Sequence, residues 1–416
     1  MRRETLLLTA LLLLFPLWGY SDNSSENKDE EPAEVPVSFR ISGFVKTDYW
    51  YDSRAVVAAR EDLFLLFPRN VRPDENGTDI WGEPSFNFSA ITSRIAGHIE
   101  GPDAFGARTS GLIEADFSGV TNADINGFRL RHAFFRLHWT HLELLMGQWW
   151  HPMFATAAVP TVISLNTGAP FQPFIRNPQV SLTWTRGNLQ TLVAAIAQRD
   201  NASDGPMGAT PDYLRQSVMP NLHLQLIYKA GNTTTGLAAD YKELRPRLVT
   251  DANYLTAETL ASWSFMAYAR HRRGLWDLKG KTILGQNLSE HLLLGGYAES
   301  LIEPVTQKVS YTPLNHSLSW ASVVYGKNIQ TGLFAGYAHN LGAREEITGR
   351  YYGRGHDIAY LYRVAPHISF ISGKVQLSAE WEYTVAAYGT PDLKGRVRNT
   401  SEVANSRILF TGFYFF

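Results

Sequence analysis

Cysteine is missing from all 416 residues. That excludes a disulfide scaffold, thiolate metal sites and the lipidated cysteine of a lipoprotein. An excess of either charge is missing too: 38 Lys and Arg stand against 39 Asp and Glu, and that balance does not point to nucleic acid. Beyond residue 20 there is no apolar run of eighteen residues, so no helical membrane span is expected. A sustained 3.6-residue period is also absent.

What is there begins with "MRRETLLLTALLLLFPLWG", where Arg2 and Arg3 precede an apolar run from Leu6 to Leu14. This is the pattern of a secretory signal peptide over residues 1–20, too short for a spanning helix. The acidic, Pro-punctuated "SDNSSENKDEEPAEVP" (21–36) is predicted to be a disordered lead-in.

From residue 37 onward alternation dominates. In "KVQLSAEWEYTV" the residues Val375, Leu377, Ala379, Trp381, Tyr383 and Val385 share one face. Lys374, Gln376, Ser378, Glu380, Glu382 and Thr384 share the other, a period of two that only a strand presents as two clean faces. About sixteen such segments recur, most about ten residues long, the length that crosses a bilayer at a tilt. They are joined alternately by tight turns ("RGN", "KAGN", "YGKN") and longer polar loops. The fold class expected for 37–416 is all-β: a transmembrane antiparallel barrel of about 16 strands, closed because lipid offers no partner to an open edge.

Charges in mid-strand mark the inward face. By parity it carries Arg94, Arg108, Glu114, Asp116, Lys279, Lys281, Arg363, Glu380 and Glu382, with Lys46, Asp48, Lys242 and Arg407 beside them. Arg129 and Arg131 share a face of "GFRLRHAFFRLHW" but Arg136 has the opposite parity, which requires a bulge or a strand end between them. Basic groups outnumber acidic ones on this face, which suggests anionic or polar solutes; pairing across strands would cancel part of that bias.

The loop "HPMFATAAVPTVISLNTGAPFQPFIRNP" (151–178) is mostly apolar and broken by five prolines, so it is neither a regular helix throughout nor an interior strand. Folding back into the barrel as a constriction would shelter it and carry Asn166, Gln172 and Arg176 toward the lumen; capping the barrel or packing at a subunit contact is the alternative. Residues 53–84 read as the first external loop, with Leu63–Phe67 a short strand or a latch over a neighbour.

The run "GLIEADFSG", then "INGFRLRHAFFRLHWTHLELLMGQWWHPMF" and "NPQVSLTW", resembles the central part of Gram-negative outer-membrane porins. It is similar to the trimeric dicarboxylate and phosphate-type porins and to porin-like proteins of the Bacteroidetes. The resemblance implies passive diffusion through a trimer of sixteen-stranded barrels. It carries pore-lining roles onto Glu114, Asp116, Arg129, Arg131 and Arg176. It implies outer-membrane lipid, lipopolysaccharide and the barrel-assembly machinery as partners, and no cofactor. The loop 151–178 lacks the carboxylates usual in cation-favouring porins. The ending "RILFTGFYFF", with Tyr414 and Phe416, resembles the signal read by that assembly machinery; Phe410, Tyr414 and Phe416 are expected to face lipid and Arg407 the lumen.

Other classes remain open at this point. His367 and Ser369 in "PHISF" have the spacing of a barrel phospholipase pair, without an evident third residue. His132, His138, His141 and His151 lie in mixed register and are not expected to form a metal site. An adhesin or structural anchor would use the same barrel, plugged.

Overall fold

The computed structural model describes residues 37–199 and 201–416. The signal peptide and acidic lead-in expected at 1–36 lie outside the described residues. β1 (Ser38–Asp52) is followed by a small hairpin, β2 (Val56–Ala59) and β3 (Phe64–Pro68), then by β4 (Ser85–Ser89). Next come β5 (Arg94–Ala104), β6 (Ala107–Asp116), β7 (Arg129–His138) and β8 (Leu142–Trp150). β9 (Arg176–Arg186) and β10 (Leu189–Ile196) precede a short helix, α1 (Asp212–Ser217). β11 (Asn221–Ala230), β12 (Thr233–Leu244), β13 (Leu260–Arg273) and β14 (Trp276–Gln286) continue the wall. The last third holds β15 (Gly295–Ile302), β16 (Val309–Gly326), β17 (Ile329–Ala343), β18 (Tyr351–Arg354), β19 (Ile358–Ser372), β20 (Val375–Pro391) and β21 (Val397–Phe415).

Sixteen of these strands close into an antiparallel barrel: β1, β5 to β14, β16, β17, and β19 to β21. The seam is the pairing of β21 with β1, in register from Phe44↔Phe415 to Asp52↔Arg407. β1 pairs with β5 over Ser38–Phe44 and with β4 over Asp48–Asp52, so β4 continues β5 beyond a break at 90–93. β15 and β18 extend the wall outward at one rim.

Connections at the other rim are turns of two or three residues. The long ones, including 53–93, 117–128, 151–175, 197–220 and 287–308, gather at the opposite rim. The segment 151–175 is therefore the third long loop in chain order.

Alternation puts apolar side chains on the outside. On β20, Val375, Leu377 and Trp381 are exposed while Ser378, Glu380 and Glu382 are buried. On β13, Trp263 and Phe265 are exposed and Ser262, Ser264, Met266 and Tyr268 are buried. Exposed aromatics sit near both strand ends, with Trp184, Tyr228, Trp276 and Tyr325 by the turns and Tyr49, Trp263, Tyr337 and Trp381 toward the loops. That belt with aromatic edges is what a bilayer requires of a barrel. Among the described residues no helix is long and apolar enough to cross a membrane.

The hydrophobic core lies inside the barrel. Phe64 and Phe67 of the β2–β3 hairpin pack with Met153, Phe154, Phe171 and Phe174 of the third loop against Trp320, Phe334 and Leu361 of the wall. Burying each such aromatic contributes about 1.5–3 kcal/mol. Leu63–Phe67 is thus a strand edge within its own barrel and not a latch over a neighbour: Arg363 donates to Leu65 O and Leu66 O, Arg407 to Leu63 O and Asp62 O, and Tyr388 to Pro68 O.

Candidate functional site

The third long loop leaves the wall at His151. That residue caps a tight turn, Pro152–Phe154, by accepting from Met153 N through Nδ1 at 3.2 Å. Phe154 stacks on Trp150 with ring centroids 3.9 Å apart, which turns the chain inward at once. With its prolines denying it a sheet ladder, the loop finds partners for its backbone on the wall instead. Lys281 Nζ donates to Phe154 O at 2.6 Å, Met153 O at 3.3 Å and Gln172 Oε1 at 2.8 Å. Trp320 Nε1 also reaches Gln172 Oε1, at 3.0 Å.

Farther along, the loop reaches β19, β20 and β1. Ile163 N and Ser164 N donate to the two carboxylate oxygens of Glu380 at 2.8 and 2.9 Å. Asn166 Nδ2 donates to Glu382 Oε1 at 2.7 Å, and Arg363 Nη1 to Ala169 O at 2.9 Å. Lys279 Nζ donates to Thr161 Oγ1, and Lys46 Nζ to Ile163 O. The loop is a strap across the interior, held by charged wall residues acting on its backbone.

A second charged group covers β5 to β7. Arg131 bridges Glu114 (Nε–Oε1 2.7 Å) and Asp116 (Nη1–Oδ2 2.8 Å), and Arg129 holds Asp116 from the other side at 2.7 Å. Arg94 stands 3.6 Å from Glu114. The register shift that the parity of Arg136 requires lies here: Glu114 faces His132 and Ala115 faces Leu130, so Arg131 is the extra residue of a bulge. Beyond it Arg136 points inward and lies 3.4 Å from Glu143.

The fourteen residues assigned to the lumen therefore separate into two groups and an outlier. Asn166, Gln172, Lys279, Lys281, Arg363, Glu380 and Glu382 meet at the strap, and all but Lys279 are buried. Arg94, Glu114, Asp116, Arg129 and Arg131 meet on the β5–β7 wall, with Arg176 beside Trp150 at 5.3 Å. Arg108 sits alone and exposed at the turn end of β6. The strap group is buried because the loop takes up its hydrogen-bonding capacity. A cavity of about 170 Å³ remains between the strap and the wall, lined by Arg136, Glu143, Trp149, His151, Gln225 and Tyr268 among others.

His367 and Ser369 both face the interior and are buried, and Ser369 Oγ lies 2.8 Å from Ser378 Oγ. Neither side chain is on the outer face that lipid would touch. His132 packs on Trp149, His138 lies 3.1 Å from Glu143, and His141 is exposed in a turn. His151 joins His223 and Asp240 instead. Ile408, Phe410 and Tyr414 on the last strand are exposed, as is Phe416 just beyond it, while Arg407 is buried inside.

No family model and no curated protein matches the chain. Among solved structures, the outer membrane channel DcaP of Acinetobacter baumannii superposes with a TM-score of 0.68 at 15% identity, over 92% of this chain and 99% of that one. The anion-selective porin from Comamonas acidovorans gives 0.54 at 11% identity, over 92% and 100%. OmpT of Vibrio cholerae gives 0.54 at 10% identity, over 91% and 98%. The chain has the fold of the Gram-negative outer-membrane porins.

Proposed function

We propose that this chain is a porin of a Gram-negative outer membrane, a non-enzymatic passive diffusion channel for small hydrophilic solutes. The observation that carries the reading is the strap: the third long loop crosses the interior from His151 and is anchored on the opposite wall by Lys281, Arg363, Glu380 and Glu382. A loop so held narrows the bore. Solutes are then sorted by size and by the charged and amide groups that replace part of their hydration shell. The apolar belt suits outer-membrane lipid and lipopolysaccharide as surroundings. Tyr414 and Phe416 on the closing strand suit recognition by the assembly machinery. A homotrimer goes with the same fold and with the resemblance over residues 105–185.

The preference is weak, for anionic or polar solutes. Loop 151–178 contributes no carboxylate, and the hydrogen bonds of Lys281 go to neutral oxygens. Elsewhere the bias is reduced by pairing, as at Asp116 with Arg129 and Arg131. A neighbour in fold is described as an anion-selective porin. Reversal potentials of the purified protein in planar bilayers under a salt gradient test this: anion preference is expected, and cation preference overturns it.

One observation favours a second reading. Lys281, Arg363, Glu380 and Glu382 are almost wholly buried, as in a barrel plugged to serve as an anchor or adhesin. Liposome swelling with sugars and dicarboxylates separates the two. Flux supports the channel; its absence supports the anchor.

A further inference from the structure

Among the described residues, three histidines meet where the strap leaves the wall. His223 on β11 and Asp240 on β12 are direct register partners, and His223 Nδ1 is 2.9 Å from Asp240 Oδ2. His151 Nε2 points into the same space, 3.8 Å from Asp240 Oδ2 and 2.8 Å from Asn221 Oδ1. The donor atoms of His151, His223 and Asp240 all lie within 4.8 Å of one another. A third imidazole, His291 from the loop 287–308, packs edge-on against His151 with ring centroids 4.7 Å apart. Its Nδ1 is buried and has no hydrogen-bond partner among the described residues. All four side chains are more than nine-tenths buried.

We propose that His151, His223 and Asp240 form a binding site for a first-row divalent metal ion such as Zn²⁺ or Ni²⁺, with His291 or Asn221 able to complete the shell. Two imidazoles and a carboxylate are the donor set that these ions accept, at metal–ligand distances near 2.0–2.2 Å. Separations of 2.9 and 3.8 Å between donors are close to the edges of such a coordination polyhedron.

The surroundings supply what a built site needs beyond its ligands. Gln225 Oε1 lies 3.3 Å from His223 Nε2, so it favours a proton there and leaves Nδ1 turned toward Asp240. Gln225 is itself held by Tyr268, through Nε2 to OH at 2.8 Å. Asn221 Nδ2 donates to Asp240 Oδ1 at 2.8 Å and fixes the carboxylate plane. A cavity of about 170 Å³ lies beside the site, lined by His151, Gln225 and Tyr268.

The oxygen acceptors around the two imidazoles set the proton balance. Without metal, His223 shares a proton with Asp240 through Nδ1, and His151 donates from Nε2 to Asn221 while accepting from Met153 N at Nδ1. Metal displaces the His223 Nδ1 proton to solvent. The His151 proton moves from Nε2 to Nδ1, and the Met153 hydrogen bond is given up. Met153 O and Phe154 O are the groups that Lys281 holds, so the site joins metal binding to the first turn of the strap.

The test uses untagged, full-length mature protein in detergent, stripped with EDTA and titrated calorimetrically with ZnCl₂ and with NiCl₂. One ion per chain is expected, with at least a tenfold loss of affinity in both His223→Gln and Asp240→Asn and no loss in His141→Gln, which alters an exposed histidine. Heat-modifiable migration on gels checks that each variant is folded. X-ray absorption of the loaded wild type keeps the proposal falsifiable should both variants misfold: imidazole scattering is expected. No saturable binding by the wild type, binding unchanged in folded variants, or a shell without imidazole overturns it. None of these readouts depends on solute flux, so the result stands apart from the channel reading.

Discussion

Arg407 and Asp52 face each other across the seam that closes the barrel, as register partners joined by two hydrogen bonds, Nη2–Oδ2 at 2.6 Å and Nε–Oδ1 at 2.9 Å. Both side chains are fully buried. The same guanidinium donates to Leu63 O and Asp62 O, so one residue ties the last strand, the first strand and the first loop together.

Removing one partner strands the other charge in the interior, which costs about 3–5 kcal/mol. Arg407→Met is therefore expected to lower the midpoint of heat-modifiable unfolding on gels and to expose residues 54–62 to protease. The double variant Arg407→Met with Asp52→Leu should recover most of the lost stability, because no charge is then left unpaired. Equal loss in the single and double variants would contradict the pairing.

Lys281 gives its hydrogen bonds to the strap. Its ammonium satisfies Met153 O, Phe154 O and Gln172 Oε1, and Lys281→Met removes those donors while keeping most of the volume. Phe154 O keeps Gln172 Nε2 and Gln172 Oε1 keeps Trp320 Nε1, so Met153 O is the acceptor left unmatched, at a cost of about 1–3 kcal/mol. Backbone amides of 152–172 should then exchange with deuterium at least about tenfold faster, since about 1.4 kcal/mol corresponds to a factor of ten. Amides of the strand wall on β19 and β20 should not change.

Glu380 holds the far end of the same loop. Two backbone N–H groups meet its two oxygens, and Glu380→Gln turns one of those oxygens into a donor that faces Ile163 N or Ser164 N. Charge-assisted bonds of this kind contribute about 1.5–3 kcal/mol each. The chain has no cysteine, so Ser164→Cys provides a single reporter. Maleimide labelling at that buried position should be slow on its own and faster by an order of magnitude or more when combined with Glu380→Gln. An unchanged rate would mean that the strap is held without Glu380.

Alternation made the wall legible in the sequence. Period two identifies which side chains share a face, and closure follows from what lipid denies an edge. The parity of Arg129 and Arg136 requires a bulge or a strand end between them, and the structure has the bulge, at Arg131. What parity cannot reveal is what lies over a face. Glu380 and Glu382 point inward as their register demands, yet they meet loop amides, and that encounter depends on where a loop of more than two hundred residues' separation comes to rest. The meeting of His151 with His223 and Asp240 was hidden for the same reason. His223 and Asp240 are adjacent only through the β11–β12 register, and His151 arrives from a different segment of the wall.

The last strand supplies a test of assembly as distinct from transport. Phe416 closes the seam with Gly43 through two backbone bonds, its N donating to Gly43 O at 3.1 Å and its O accepting from Gly43 N at 3.3 Å. Its ring lies over Gly43, where a Cβ would come within 2.8 Å of the ring edge. The aromatic end is exposed on the outer face beside Tyr414 and contributes little to the packed interior. Deleting Phe416 removes two hydrogen bonds from a sixteen-stranded wall, a net loss of about 1–3 kcal/mol. Folded barrels should therefore still form when the truncated chain is refolded in detergent, and their conductance in planar bilayers should match the intact protein. In cells, the amount inserted in the outer membrane should fall several-fold, because the exposed aromatic end is what an assembly factor would read. Normal insertion of the truncated chain would remove that role from Phe416 and leave it with seam closure alone.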